Sequence, residues 1–195
     1  MRLRLNSRVP RKAPGGKTQG GNRIPPGGAG KPPLGSFRKL AEGLWPAGVG
    51  VEDPWGNAKA ARWMSPAGQA VVRAGLLAWG GIPEDQKAPP RGRAILVTGV
   101  EGTWPEGLKG KSATDVAKEW RSKPPLWLLE CLPNLPAAQL AIEVGVKGPV
   151  ESRRGRAGDA AAIQRTFERW KRRGVRQALV VRLNGQEAQA EVWSR

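Results

Sequence analysis

Few side chains in this sequence could act as nucleophiles, and none has an evident base. Cys131 is the only cysteine, and the chain contains no histidine. Cysteine and serine nucleophiles are activated by a neighbouring general base, most often histidine. Cys131 also lies in an apolar run, where a lone thiol packs more often than it reacts, and the hydroxyls of Ser152 and Thr166 lack a base as well. The sequence therefore predicts no covalent catalysis.

The sequence carries no cofactor or metal signature. One cysteine and no histidine cannot build a zinc site or an internal disulfide. No phosphate-binding loop and no pair of carboxylates at a recognisable spacing occurs, and Gly99-Val100-Glu101-Gly102 is a lone glycine-rich turn. Neither a signal peptide nor an apolar run of about 18 residues is present. We expect no cofactor, no metal, no membrane span and a reduced, cytoplasmic setting.

Binding is the chemistry that the composition favours. The chain has 33 Lys and Arg against 16 Asp and Glu, a net charge of +17. Such a charge attracts polyanions, whether nucleic acid, anionic lipid or acidic protein. Ten of the cations and no carboxylate lie in residues 1–39. A tether for a polyanion and a solvated tail without a dedicated partner both fit this segment, whose first six cations are Arg2, Arg4, Arg8, Arg11, Lys12 and Lys17.

Composition divides the chain into three parts. Residues 1–36 are rich in Gly, Pro and cations and cannot bury enough apolar area to offset their ordering entropy, so we expect a disordered basic arm. Residues 37–63 set Trp45, Trp55 and Trp63 among Gly and Pro. This pattern predicts an irregular segment whose tryptophans pack on the domain and do not stack nucleobases. The folded domain is expected over residues 64–195.

Periodicity in the last part predicts a layered α/β domain. Helices are expected at 66–79, 113–121, 135–144 and 159–173, and strands at 94–98, at 178–183 and after the turn at Asn184-Gly185. The helix at 159–173 has an apolar stripe that includes Phe167 and Trp170. Its outer face carries the candidate binding residues, which are Arg165, Arg169, Arg172 and Arg173.

Residues 125–149 resemble the segment that leads to the nucleophile of β-ketoacyl synthases. An apolar run is followed by Leu132-Pro133-Asn134, small residues, Ala141-Ile142 and Gly145-Val146-Lys147-Gly148-Pro149. The helix at 66–79, the strand at 94–98 and the interval from Gly148 to Gly174 also follow the family's order, so the resemblance covers about residues 63–185. It implies a thiolase-like fold, in which two similar α/β halves form a layered sandwich. This chain corresponds to the first half.

The same resemblance implies that catalysis is lost. A count without gaps from Gly148 puts Ala157 at the position of the nucleophilic cysteine, and the family's catalytic histidines have no counterpart. A methyl group cannot form a thioester. The chain is therefore expected not to be an enzyme but a silent partner of an active synthase, or a binder of acyl carrier protein, in fatty-acid or polyketide-type biosynthesis. Acyl carrier proteins are acidic, so the arginines of the helix at 159–173 offer them a docking surface, unless these arginines are only a solvated helix face.

Two other functions remain open from the sequence. The chain could be a nucleic-acid-associated protein that binds through residues 2–39, or a structural component of a larger assembly. Half of a sandwich would expose apolar side chains such as Leu129, Val180 and Trp193, together with those at 126–128. We therefore expect an oligomer or heteromer, unless the tryptophan-rich residues 37–63 fold back as a cover.

The strand that a synthase buries at its dimer interface falls here on a charged stretch. It contains Glu151, Arg153, Arg154 and Arg156, and burying several unpaired charges costs several kcal/mol each. An exposed loop at 150–156, or the loss of the family's homodimer, is therefore expected.

Overall fold

The computed structural model describes residues 36–46, 48, 50–56, 58–102, 110–120, 129, 131–154 and 159–195. These residues fall within one compact unit, Lys31–Arg195. None of their helices is long and apolar enough to cross a membrane. The strands are β1 Arg38–Trp45, β2 Arg93–Thr98, β3 Val150–Arg153, β4 Gln177–Asn184 and β5 Glu187–Ser194. The helices are α1 Ala58–Ala61, α2 Pro66–Gly80, α3 Ala113–Trp120, α4 Leu135–Glu143 and α5 Ala160–Arg172, with short 3-10 turns at Glu84–Gln86 and Pro90–Gly92.

The five strands form one mixed sheet in the order β1-β5-β4-β2-β3. β2 pairs in parallel with both β3 and β4, whereas β5 is antiparallel to both β1 and β4. Four strands therefore point one way and β5 points the other. The four strands that share a direction all begin at the same end of the sheet. This end carries Arg38, Arg93 and Gln177, and the connections after β2 and β3 leave from the opposite end.

Helices cover both faces of the sheet, so the expected layered α/β architecture is present. α2 and α4 pack on one face against Ile95, Leu179 and Val181. α5 packs on the other face against Leu96 and Val180. β4 is thus buried on both sides, which explains its unbroken apolar run.

Local sequence signals place most element ends as expected. The Ser65 side chain accepts a hydrogen bond from the Gly68 amide, and Pro66 opens α2. The two residues after Asn184 form the tight turn into β5, with Gly185 at a φ of 64°. The helices and central strands predicted from periodicity agree with the structure to within a residue or two, which is the uncertainty of any helix end.

The expectation of an irregular segment over residues 37–63 is wrong for its first part. Arg38–Trp45 forms the edge strand β1, which pairs with β5 along its length. Gly43 makes this possible, because a Cβ at that position would lie 2.5 Å from the Ala74 carbonyl oxygen of α2. Two of the three tryptophans pack against the core as predicted, whereas Trp63 is half-buried and belongs to no core cluster. Trp55 is buried, and Trp45 packs against the core under α2 and α4.

The sheet does not present the apolar face expected of half a sandwich at the positions that the structure describes. Val180 and Trp193 are both buried, because α5 and Phe37 cover them. Phe37 belongs to the segment considered as a cover, and its ring meets that of Phe167 edge-on at 4.8 Å. Leu129 is half-buried, and residues 126–128 lie outside the described residues.

Candidate functional site

The carboxylate of Glu151 connects the edge of the sheet to α5. Glu151 lies on the edge strand β3, and it accepts hydrogen bonds from the guanidinium of Arg169 and, at 2.9 Å, from the indole nitrogen of Trp170. Arg153 approaches the same carboxylate at 3.4 Å. Of the two alternatives that the sequence left open here, the exposed loop is wrong for Val150–Arg153, which form β3. The charged side chains of β3 can be partly buried because Glu151 forms ion pairs with Arg153 and with Arg169 of α5.

The surroundings of Glu151 also set its ionisation. Burial alone would raise the pKa of this carboxyl, but the hydrogen bonds from Arg169 and Trp170, with the charges of Arg169 and Arg153, outweigh it. The pKa is therefore held below its ordinary value of 4.5. A carboxyl whose pKa is lowered on folding stabilises the folded state above its unfolded pKa. That stability is lost as the pH falls through the folded pKa.

We expect Glu151→Gln to flatten the acid limb of the stability profile. Wild-type protein should lose free energy of unfolding as the pH falls from neutral through and below about 4.5, whereas the variant should start lower and lose less. Urea denaturation at a series of pH values measures both. Glu168→Gln is the matched control, because it removes a carboxylate from α5 without touching Glu151. A variant profile parallel to that of wild type would contradict the role given to Glu151.

The four candidate arginines of α5 do not share one environment. Arg165, Arg172 and Arg173 are exposed and form no ion pair with any described residue. Arg169 is half-buried, because its guanidinium holds Glu151. Arg165, Arg169 and Arg172 line a shallow, open depression along the outer face of the helix, together with Ala161, Gln164 and Glu168. The structure thus leaves three arginines available to an anionic partner and gives the fourth a structural role.

The hydroxyl candidates for nucleophiles are both engaged with the backbone. Ser152 donates its hydroxyl hydrogen bond to the Pro133 carbonyl oxygen at 2.8 Å. The side chain of Thr166 is fully buried and donates to the Ala162 carbonyl oxygen, one turn earlier in α5. Cys131 is half-buried. The described residues contain no group of His, Cys, Asp and Glu side chains that could hold a metal ion.

Several residues singled out from the sequence lie outside the part of the chain that the structure describes. They are Ala157 and Arg156, and, in the amino-terminal arm, Arg2, Arg4, Arg8, Arg11, Lys12 and Lys17. The described chain resumes at Asp159, whose carboxylate caps α5 by accepting from the Ala162 amide.

Sequence reasoning missed the role of Glu151, which it treated only as a charge that would be costly to bury. The available signal was a single carboxylate among arginines, in a stretch followed by an amphipathic helix that has Arg169 and Trp170 on adjacent positions. No protein-family model and no curated protein matches this chain.

Proposed function

We propose that this chain is a non-catalytic, β-ketoacyl-synthase-like protein that binds an acidic partner, namely acyl carrier protein or a subunit of an active synthase. The resemblance over residues 125–149 suggests the family. A five-stranded mixed sheet with helices on both faces agrees with one α/β half of a layered sandwich. In this interpretation, α5 is the helix that would follow the nucleophile.

The observation that carries the proposal is the exposed row of arginines on α5. Arg165 and Arg172 are seven residues apart and therefore lie on the same side of the helix, two turns from each other. Neither forms an ion pair with a described residue, although Glu168 lies between them along the same depression. Complementary charge steers association and fixes the docking geometry. A row of free guanidinium groups along a depression fits an acidic helix of a small carrier protein.

The absence of catalysis is the second part of the proposal. Ser152 and Thr166 direct their hydroxyl hydrogens at backbone carbonyl oxygens, so neither is poised to attack an acyl thioester. No histidine exists to raise the nucleophilicity of Cys131. The resemblance, counted without gaps from Gly148, implies that Ala157 stands where the family has its thiolate. These features favour a binding role over acyl transfer.

We expect the double charge reversal Arg165→Glu with Arg172→Glu to weaken binding of acyl carrier protein by at least about tenfold, or about 1.4 kcal/mol. Titration calorimetry at low salt measures this directly. Lys59→Glu with Lys118→Glu is the matched control, because both lysines are exposed on other helices and the change in net charge is the same. Equal losses of affinity in the two variants would show that only net charge matters. The proposal that α5 is the docking surface would then be wrong.

We further expect no covalent loading of this protein by acyl thioesters. Intact-mass analysis after incubation with acyl and malonyl carrier protein should show the unmodified chain, and no ketoacyl product should form. A mass increase would contradict the non-catalytic part of the proposal. Its loss in Cys131→Ser would then identify the thiol as the acceptor.

A further inference from the structure

A second basic surface lies at the end of the sheet where β1, β2, β3 and β4 begin. Its members are the exposed side chains of Arg38, Arg91, Lys147, Arg176 and Arg195, which we call the amino-end patch. They come from five separate segments of the chain.

Backbone hydrogen bonds hold these segments together. The Lys147 amide donates to the Pro90 carbonyl oxygen at 2.9 Å, and the Arg176 amide donates to that of Gly92 at 2.8 Å. The Arg195 amide donates to the Arg176 carbonyl oxygen at 2.9 Å, and Arg38 pairs with Ser194, next to Arg195, at the start of β1. The patch is therefore one contiguous surface on a rigid framework.

The cations of the amino-end patch are not neutralised within the described chain. None of the five forms an ion pair with a described residue, whereas Lys39, Arg153 and Arg182 on the sheet are all paired with glutamates. On the neighbouring 3-10 turn, Glu84 is paired with Lys87, which leaves Asp85 as the unpaired carboxylate of that turn. Five unpaired cations on one surface produce a strong local positive potential.

The patch also lacks the anchors that protein partners use. Protein interfaces depend on buried aromatic and apolar side chains at their centre. Among the residues that the structure describes, the large aromatic side chains at this end of the sheet, those of Phe37, Trp79 and Trp193, are all buried. The same burial leaves them unable to stack bases, as single-strand binders do. Such a surface suits the phosphate backbone of a duplex, which is recognised by charge alone.

A duplex also matches the number of cations in the patch. It carries one phosphate charge for about every 1.7 Å of its axis, so several phosphates can face the patch at once. A compact acidic protein offers no such continuous array.

We propose that the amino-end patch binds the phosphate backbone of duplex nucleic acid without sequence preference. This activity goes beyond the docking of an acidic protein on α5 and uses a different set of residues. Arg91, Lys147 and Arg176 supply three of the five cations of the patch.

The test is fluorescence anisotropy of full-length protein with a labelled duplex DNA of random sequence over a series of salt concentrations. The triple variant Arg91→Gln, Lys147→Gln, Arg176→Gln should bind at least about tenfold more weakly at moderate salt. Its plot of log affinity against log salt should be less steep by about two to three units, since each phosphate contact contributes about 0.9. Two duplexes of unrelated sequence should bind the wild-type protein equally well.

The matched control is Lys59→Gln, Lys118→Gln, Arg154→Gln, which removes the same charge from exposed side chains outside the patch. Thermal melts of both variants establish that they are folded. Equal affinity and slope in the two triple variants would overturn the proposal. It would also fail if the patch variant lost binding to poly-glutamate but kept wild-type affinity for the duplex, because the patch would then be a site for an acidic protein.

Discussion

Trp170→Ala should lower the free energy of unfolding by about 3–5 kcal/mol, the usual range for deleting a buried aromatic side chain. Trp170 has no exposed surface and lies beside Phe167, with 5.8 Å between ring centroids. The substitution leaves a cavity between α5 and the sheet. It also removes the indole N–H that Glu151 accepts on β3. Both losses weaken the packing of β3 against α5.

The two contributions separate in Trp170→Phe, which keeps most of the apolar volume and removes only the donor. A hydrogen bond to a charged group is worth about 1.5–3 kcal/mol, so this variant should fall between wild type and Trp170→Ala. Trp63→Ala is the control, because Trp63 is only half-buried and lies beneath the guanidinium of Arg62. Urea denaturation monitored by far-UV circular dichroism measures all three. A Trp170→Ala protein no less stable than Trp63→Ala would contradict the position given to Trp170.

The elements that could be predicted are those whose sequence carries its own signal. β4 has an unbroken apolar run because both of its faces are buried, and α5 has a stripe of apolar residues because only one of its faces is. Helix ends were predicted from Ser65, Gly145 and Gly174, which each supply a capping oxygen or a positive φ. In each case the physical cause lies within a few residues of its effect.

β1 could not be predicted because its cause lies far away in the chain. The residues Arg38–Trp45 have few β-branched side chains and only intermediate or exposed positions. They form a strand because β5 offers a free edge and because Gly43 lets the backbone approach α2. Pairing between residues about 150 positions apart leaves no local pattern. The same applies to Phe37, whose burial depends on α5.

The candidate site shows the same division. Helical periodicity correctly placed Arg165 and Arg172 on the exposed side of α5. It could not reveal that Arg169 is held by Glu151, because that contact needs the register between β3 and α5. The amino-end patch was invisible for the same reason, since its members are spread from Arg38 to Arg195 and meet only through the sheet.

Gly148→Ala should lower the free energy of unfolding by about 1–3 kcal/mol or more, although it adds only one methyl group. A Cβ at Gly148 would lie 2.1 Å from the Arg93 carbonyl oxygen and 3.1 Å from that of Arg91. Both obstacles are backbone atoms, so no side-chain rotation relieves the clash. The loop between α4 and β3 must move away from the start of β2, which strains the hydrogen bond from the Lys147 amide to Pro90. Gly148 is thus required in the Gly145–Pro149 motif by close backbone packing, and this requirement does not depend on any catalytic role of the motif.

Gly80→Ala is the matched control, because a Cβ there meets nothing within 4 Å and its effect should stay below about 1 kcal/mol. Denaturation midpoints compare the two variants. Binding of duplex DNA then gives a second and independent reading, because displacement of Lys147 from Arg91 should divide the amino-end patch. Gly148→Ala should therefore bind the duplex more weakly even under conditions in which it is fully folded. A variant as stable as Gly80→Ala would mean that the loop yields without cost, and the packing explanation for Gly148 would be wrong.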